Sequence, residues 1–258
     1  MHDLRQREYR RILIIKPSSF GDVVHALPVL NGLRRRYPEA HIAWLVSTAC
    51  AGLLEGHPQL DEVIPFDRKR FGRIGRSLSV TLEFARFVRE LHGRRFDLVV
   101  DLQGLFRSGF LSLASGARVR VGFRQSREFA WLFYTHRLRV ADRDMHAVDR
   151  YYLVARLLDF VDEPIEFVLP VDADARASVE RMASEAGLAA GASYALVVPG
   201  TRWETKRWPA EHFAELVRTI REKHELVVVL AGAPDEVDVA SRVAELAGEP
   251  VVNLAGRT

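Results

Sequence analysis

An apolar run, Leu13 to Ile15, gives way at once to Lys16-Pro17-Ser18-Ser19-Phe20-Gly21-Asp22-Val23-Val24-His25. The run reads as a buried strand. Val23 to Arg36 reads as a helix, with Val24, Leu27, Leu30 and Leu33 on one side. The polar stretch between them then lies at a strand's carboxyl end and opens a helix, the edge at which open α/β sheets bind ligands. Beside a helix N-terminus the ionised form of Asp22 is favoured by the helix dipole. An ionised carboxylate in a cleft is a usable general base, and Gly21 lets the backbone approach a ligand closely. Ser19 or Asp22 would also serve simply as a helix cap, and residue types alone favour that use. The stretch is neither a dinucleotide fingerprint nor a Walker A loop, since it lacks both glycine patterns.

Four further segments carry candidate chemistry. Asp101-Leu102-Gln103-Gly104-Leu105-Phe106-Arg107-Ser108 repeats the strand, glycine turn and helix, and puts Gln103 and Gly104 on the same rim as Asp22. Between Arg68 and Leu82 stand five positive side chains, Arg68, Lys69, Arg70, Arg73 and Arg76, and no acidic one. With Gly72 and Gly75 they read as a flexible loop suited to a polyanion or an anionic membrane surface, or as a plain solvated loop. Pro199-Gly200-Thr201-Arg202-Trp203-Glu204-Thr205-Lys206-Arg207-Trp208-Pro209 follows a strand and precedes a helix. There Thr201, Lys206 and the helix amides would hold a diphosphate, unless the loop is merely pinned by Trp208 in the core. Ala231-Gly232-Ala233-Pro234-Asp235-Glu236 repeats the pattern, with Glu236 either accepting from a ribose or favouring its own helix start.

The elements that must position these residues alternate. Strands are predicted at 42–46, 62–66, 98–101 and 118–122, and helices at 78–91, 105–114 and 146–158. Such alternation implies parallel sheets with helical crossovers, an α/β doubly wound fold. Two prolines and an acidic cluster over 162–170 read as a linker. The division is therefore a first domain over 1–165 and a second over 166–258, with helices at 173–186, 209–223 and 236–246 and strands at 194–198, 226–230 and 251–253.

Composition excludes several classes. At 258 residues, 48% hydrophobic and 28% charged, the chain is ordinary globular material. Its net charge of +3 gives no general nucleic-acid binder. No apolar run approaches the roughly 20 residues that span a bilayer, and Ile12 to Ile15 is too short for a signal-peptide core. A cytoplasmic protein is expected. Cys50 is the single cysteine, set among Ala49, Ala51 and Gly52, and reads as a packed small residue; an intrachain disulfide or a multi-cysteine zinc site is excluded.

Taken together, KPSSFGDVVHALPVL, DLQGLFRS, PGTRWETKRWPAEHF and AGAPDE resemble, in order and spacing, the lipopolysaccharide heptosyltransferase family, over nearly the whole chain. The resemblance implies two Rossmann-like domains in a GT-B arrangement, the first binding the acceptor and the second an ADP-heptose donor. It implies an inverting transfer to the Kdo of a lipid A acceptor, no metal and no cofactor, at the cytoplasmic face of the inner membrane with peripheral membrane contact. By position it makes Asp22 the catalytic base. Ser19, Gly21, Lys69, Arg70, Arg73, Gln103, Gly104 and Arg127 fall in the acceptor region, and Thr201, Lys206 and Glu236 on the donor. The family continues with a further strand and an Asp-Ser/Thr-Gly-x-x-His motif that lies past Thr258, so the second domain is expected to be incomplete. Two other readings are a truncated, non-catalytic fold that binds a lipid A-type acceptor or a partner, and a nucleotide-dependent oxidoreductase, against which the missing glycine fingerprint counts.

Overall fold

The computed structural model describes residues 4–142, 144–201 and 203–257. In chain order the first part is β1 (Arg11–Ile15), α1 (Phe20–Arg36), β2 (His41–Ser47), β3 (Glu62–Phe66), α2 (Arg68–Phe71), α3 (Leu78–Gly93), β4 (Leu98–Asp101), α4 (Phe106–Ala114), β5 (Val119–Phe123), β6 (His136–Leu138) and α5 (Ala147–Leu158). The second is α6 (Ala173–Glu185), β7 (Tyr194–Val197), α7 (Ala210–His224), β8 (Val227–Leu230), α8 (Val237–Ala247) and β9 (Val252–Asn253). The chain separates into two compact units, Met1–Pro170 and Val171–Thr258.

In the first unit six strands form one parallel sheet in the order β3-β2-β1-β4-β5-β6. Buried strands of a parallel sheet are apolar on both faces, and β1 shows the consequence residue by residue. Ile12 and Ile14 pack on one side with Leu27, Leu30 and Leu33 of α1 and Val154 and Leu158 of α5. Leu13 and Ile15 pack on the other with Val80 and Leu91 of α3 and Leu111 of α4. Each fully buried leucine contributes about 1.5–3 kcal/mol, so the two layers hold β1 in place from both faces. The order reverses between β1 and β4, and both strands deliver their carboxyl ends to that point, Ile15 pairing with Asp101. β6 carries no sequence signal, because three residues, His136-Arg137-Leu138, offer no apolar run.

The segment read as a linker is strapped to the first unit. Arg35 pairs with Glu163 at 3.4 Å and also with Glu166. Asn31 Nδ2 donates to the Glu166 carbonyl at 2.7 Å, and the Phe160 ring is buried. His57 completes the strap: its Nδ1 accepts from the Gln59 N–H at 3.1 Å, so its Nε2 carries the proton and donates to the Val168 carbonyl at 3.0 Å. The basic stretch is also more ordered than its glycines suggest. Asp67 caps α2 by accepting from the Arg70 N–H at 2.9 Å, and Arg70 itself pairs with Glu83 of α3 at 2.7 Å.

The second unit is a parallel sheet in the order β7-β8-β9. Val217 of α7 and Ala240 and Val243 of α8 cover one face with Val228 and Leu230, while Met182 and Ala183 of α6 lie with Val229 and Val252. Trp208 is not sunk in this core. It is 47% exposed and stacks on His212, with ring centroids 5.3 Å apart.

Burial lowers the His57 pKa below its ordinary 6.5. A histidine that is neutral when folded and free to protonate when unfolded gives stability that is present above the unfolded pKa and lost as pH falls through the folded one. The urea midpoint is therefore expected to fall as pH drops below about 6.5. His57→Gln should flatten that slope; an unchanged slope would show that the imidazole does not hold the strap.

Candidate active site

Asp22 lies in the first turn of α1, and its two oxygens face different partners. Oδ2 accepts from the Ser19 N–H and from the Ser19 hydroxyl, each at 3.1 Å. Oδ1 accepts from the Tyr151 hydroxyl of α5 at 3.0 Å, and the Lys16 ammonium stands 3.7 Å from it. Capping and charge are thus combined: Asp22 serves its helix through one oxygen and meets a buried cation and a phenol through the other. Burial pushes its carboxyl up, but Lys16, the Ser19 N–H and the Tyr151 and Ser19 hydroxyls outweigh it and leave the pKa below the ordinary value. Burial lowers the pKa of Lys16, which is only 3% exposed, and the carboxylates of Asp22 and Asp101 oppose that shift.

Asp101 ends β4 across the reversal point from Asp22. Its Oδ1 accepts from the Gln103 and Gly104 N–H groups at 2.9 and 3.2 Å, and its Oδ2 from the Tyr134 hydroxyl at 2.7 Å. Complete burial pushes its pKa up against these hydrogen bonds. The carboxylate shapes the turn: Gly104 takes φ +67°, and its carbonyl receives the Arg127 N–H at 2.9 Å. Tyr134 reaches Asp101 because Gly122 of β5 has no side chain, since a Cβ there would stand 2.3 Å from the tyrosine ring.

The turns that carry these two carboxylates contribute to a cavity of about 380 Å³, lined by Pro17 and Ser18, Phe66 and Arg68, Gln103 and the Leu105–Ser108 segment, with Leu111 and Glu128; Asp22 and Asp101 are not in its lining. Gln103 Oε1 is buried there without a hydrogen-bond partner. Glu128 accepts from the Phe106 N–H at the start of α4 at 3.1 Å, an anion at a helix N-terminus. Arg68 donates to the Ser18 hydroxyl at 3.3 Å. Of the acceptor residues expected from sequence, Gln103 lines the cavity, while Ser19 and Gly104 belong to the turns on either side. Gly21 sits in the first turn of α1, where a Cβ would meet open space. Lys69, Arg73 and Arg127 are exposed, outside the cavity lining, and Arg70 is held by Glu83. The basic residues that do line it are Arg68 and Arg107.

In the second unit two predicted segments meet. Glu236 packs against Gly200, where a Cβ would fall 2.1 Å from its carboxyl carbon, and its Oε2 accepts from the Ala233 N–H at 2.9 Å. Lys206 is exposed. Arg207 donates to the Thr201 carbonyl at 3.2 Å; Arg202, in the same motif, lies outside the described residues. A separate cavity of about 410 Å³, lined by Arg207, Trp208, Asp238 and Arg242 among others, contains none of Thr201, Lys206 and Glu236. Among the described residues no group of three His, Cys, Asp or Glu side chains could hold a metal, and no helix is long and apolar enough to cross a membrane.

Sequence reading named Lys16, Asp101 and Arg107 within motifs but gave them no role, and it missed Tyr151, Tyr134 and Glu128. Lys16 and Asp101 carry a signal, as charged residues directly ending apolar runs. Tyr151 carries none, being one apolar-face residue of a helix 129 positions from its partner.

A carboxylate held ionised at the reversal point of an open parallel sheet, one turn from residues that line a largely apolar cavity edged by Arg68, Arg107 and Glu128, matches an α/β enzyme site of the doubly wound class. Comparison with known proteins narrows the class. The model of glycosyltransferase family 9 (heptosyltransferase) matches residues 84–258. Lipopolysaccharide heptosyltransferase 1 of Escherichia coli O18:K1:H7 (strain RS218 / NMEC) is 30% identical over 239 residues, covering 91% of this chain and 71% of that protein. The structure of E. coli heptosyltransferase WaaC with ADP-2-deoxy-2-fluoro heptose is 29% identical, with a TM-score of 0.70 over 93% of this chain and 76% of that one. A glycosyl transferase family 9 structure from Veillonella parvula DSM 2008, 23% identical, shares the fold with a TM-score of 0.85 over 100% of this chain and 71% of that one. The chain belongs to glycosyltransferase family 9, the heptosyltransferases. It is a transferase with the family's α/β fold, and the oxidoreductase reading is set aside.

The Gly122 contact gives a test of the framework. Gly122→Ala forces the Tyr134 ring off Asp101 and is expected to lower stability in urea by about 1–3 kcal/mol, as overpacking does. Wild-type stability in that variant would mean the ring has room to move.

Proposed function

We propose that the protein catalyses inverting transfer of a heptose from an ADP-heptose to an acidic sugar, the Kdo of a lipid A-type acceptor. The single observation that carries this reading is Asp22, a carboxylate kept ionised by Lys16, Ser19 and Tyr151, on the same turn as Pro17 and Ser18, which line a cavity with Arg68 and Arg107. An ionised carboxylate can take a proton, and guanidinium groups can receive a carboxylate or phosphate in bidentate fashion. The relatives include a heptosyltransferase structure with an ADP-heptose analogue, which supports the donor class.

In this reading the acceptor hydroxyl gives its proton to Asp22 as its oxygen attacks the anomeric carbon. The bond from that carbon to the diphosphate oxygen breaks, and ADP leaves with the electron pair. Thr201 and Lys206 would receive the diphosphate charge with the loop amides ahead of α7. Glu236 would turn from the Ala233 N–H to a ribose hydroxyl. The first unit takes the acceptor, with Ser19, Gln103 and Gly104 shaping its pocket and Arg68, Lys69, Arg73, Arg107 and Arg127 meeting its charge. Arg70 takes part only by leaving Glu83. The acceptor's lipid places the work at the cytoplasmic face of the inner membrane, with peripheral contact. Membership of a transferase family favours turnover over a non-catalytic reading.

Two measurements test this. Asp22→Asn keeps the shape and removes the base, so transfer is expected to lose roughly 10²–10⁴-fold in kcat, with a lower Tm because the buried Lys16 ammonium loses one of its two counter-charges; near-native turnover would overturn the assignment. Arg68→Ala with Arg107→Ala should raise the acceptor KM and leave the donor KM unchanged. The difference should shrink in high salt, since exposed charges are screened within about 8–10 Å at physiological ionic strength. Equal effects on both substrates would count against an acceptor pocket.

A further inference from the structure

Tyr151 is 2% exposed, and its ring is walled in on several sides. Phe123 of β5 lies at a centroid distance of 6.4 Å, the Lys16 ammonium at 5.0 Å and the Arg150 guanidinium at 5.3 Å from the ring. A ring so packed cannot swing, so its hydroxyl has one fixed position, and Asp22 Oδ1 is 3.0 Å away. A carboxylate offers about four in-plane acceptor sites. The Ser19 N–H and hydroxyl approach Oδ2, Tyr151 approaches Oδ1, and Lys16 stands off Oδ1 at 3.7 Å, beyond hydrogen-bond length. Ser19 is exposed and its hydroxyl can rotate away; the Ser19 N–H and Tyr151 cannot.

We propose that Tyr151 is the positioning residue of Asp22: its fixed hydroxyl on Oδ1 and the Ser19 N–H on Oδ2 set the plane of the carboxylate, so that the acceptor's hydroxyl enters where the Ser19 hydroxyl leaves. This rests on Asp22 being the base. The charged and titratable groups that meet that carboxylate are Lys16, just past β1, and Tyr151 of α5; Asp101 at the end of β4 acts on Lys16, Arg150 stands over the Tyr151 ring, and His25 of α1 and His146 at the start of α5 lie on the same two helices. His25 and His146 face each other, with ring centroids 5.2 Å apart. Among these groups Tyr151 alone gives Asp22 a hydrogen bond of ordinary length. Burial and the Asp22 charge push the phenol up to about 12, so it stays a donor throughout the working pH range.

The test is a ¹³C NMR titration of aspartate carboxyls in the full chain, with the Asp22 signal identified by its loss in Asp22→Asn. In Tyr151→Phe the Asp22 midpoint should rise by about one to two pH units, the worth of a hydrogen bond to a charged group. The acid limb of kcat/KM should move up with it, while both KM values stay. Placing 3-fluorotyrosine at 151, a more acidic donor of nearly the same shape, should move the midpoint the other way. Tyr152→Phe on the same helix, whose hydroxyl bonds the Phe160 and Glu163 carbonyls, should lower Tm without moving it. An Asp22 midpoint unmoved by either change at Tyr151, or moved equally by Tyr152→Phe, overturns the proposal. Full transfer by Asp22→Asn would instead overturn the base reading and leave the titration result standing, so the two failures are distinguishable.

Discussion

An ammonium group shut away from water needs counter-charge, and Lys16 is 3% exposed at the end of the central strand. Burial disfavours its charged form, and the carboxylates of Asp22 and Asp101 are what oppose that cost. Asp101 ends β4 and Asp22 stands in the first turn of α1, the helix that follows β1, so one buried cation ties the two segments that flank the reversal of the sheet. The tie works in both directions. The same ammonium, together with the Ser19 and Tyr151 hydrogen bonds, holds Asp22 ionised at the rim against the effect of its burial.

The rest of the first unit serves that arrangement. Asp101 spends its oxygens on the Gln103–Gly104 turn and on Tyr134, and Gly122 clears the space through which Tyr134 arrives. The turn in turn forms one wall of the cavity and leaves Gln103 Oε1 unpaired within it. α5 packs on α1 through Val154 and Leu158, and this packing carries Tyr151 to Asp22. Packing far from the rim thus decides the geometry of a group at the rim.

The layers were legible in the sequence because each rests on a local signal. Leu13 to Ile15 and Leu98 to Asp101 are apolar runs ended by charge, and Leu27, Leu30 and Leu33 recur at helical spacing. Asp22 was legible for the same reason, as an acid in a first helical turn. What escaped depends on contacts between distant segments. Tyr151 looks like any core residue of α5 until α1 lies beside it. Glu163 and Glu166 read as a solvated acidic linker until Arg35 pairs with both. Trp208 suggested a buried pin, yet its ring lies on the surface of α7. β6 failed for want of length. In the basic stretch composition was readable but geometry was not: Arg70 is taken by Glu83, and Arg68 reaches the cavity instead.

The central claim is that the Asp22 carboxylate itself accepts the acceptor's proton, and chemical rescue tests it most directly. In Asp22→Ala the carboxylate is gone while the Lys16 ammonium and the Tyr151 hydroxyl remain to bind a small anion. Transfer from ADP-heptose should be nearly abolished in this variant and restored in proportion to added formate, with formamide inert. Wild-type transfer by Asp22→Ala without formate, or equal rescue by formate and formamide, would contradict the account.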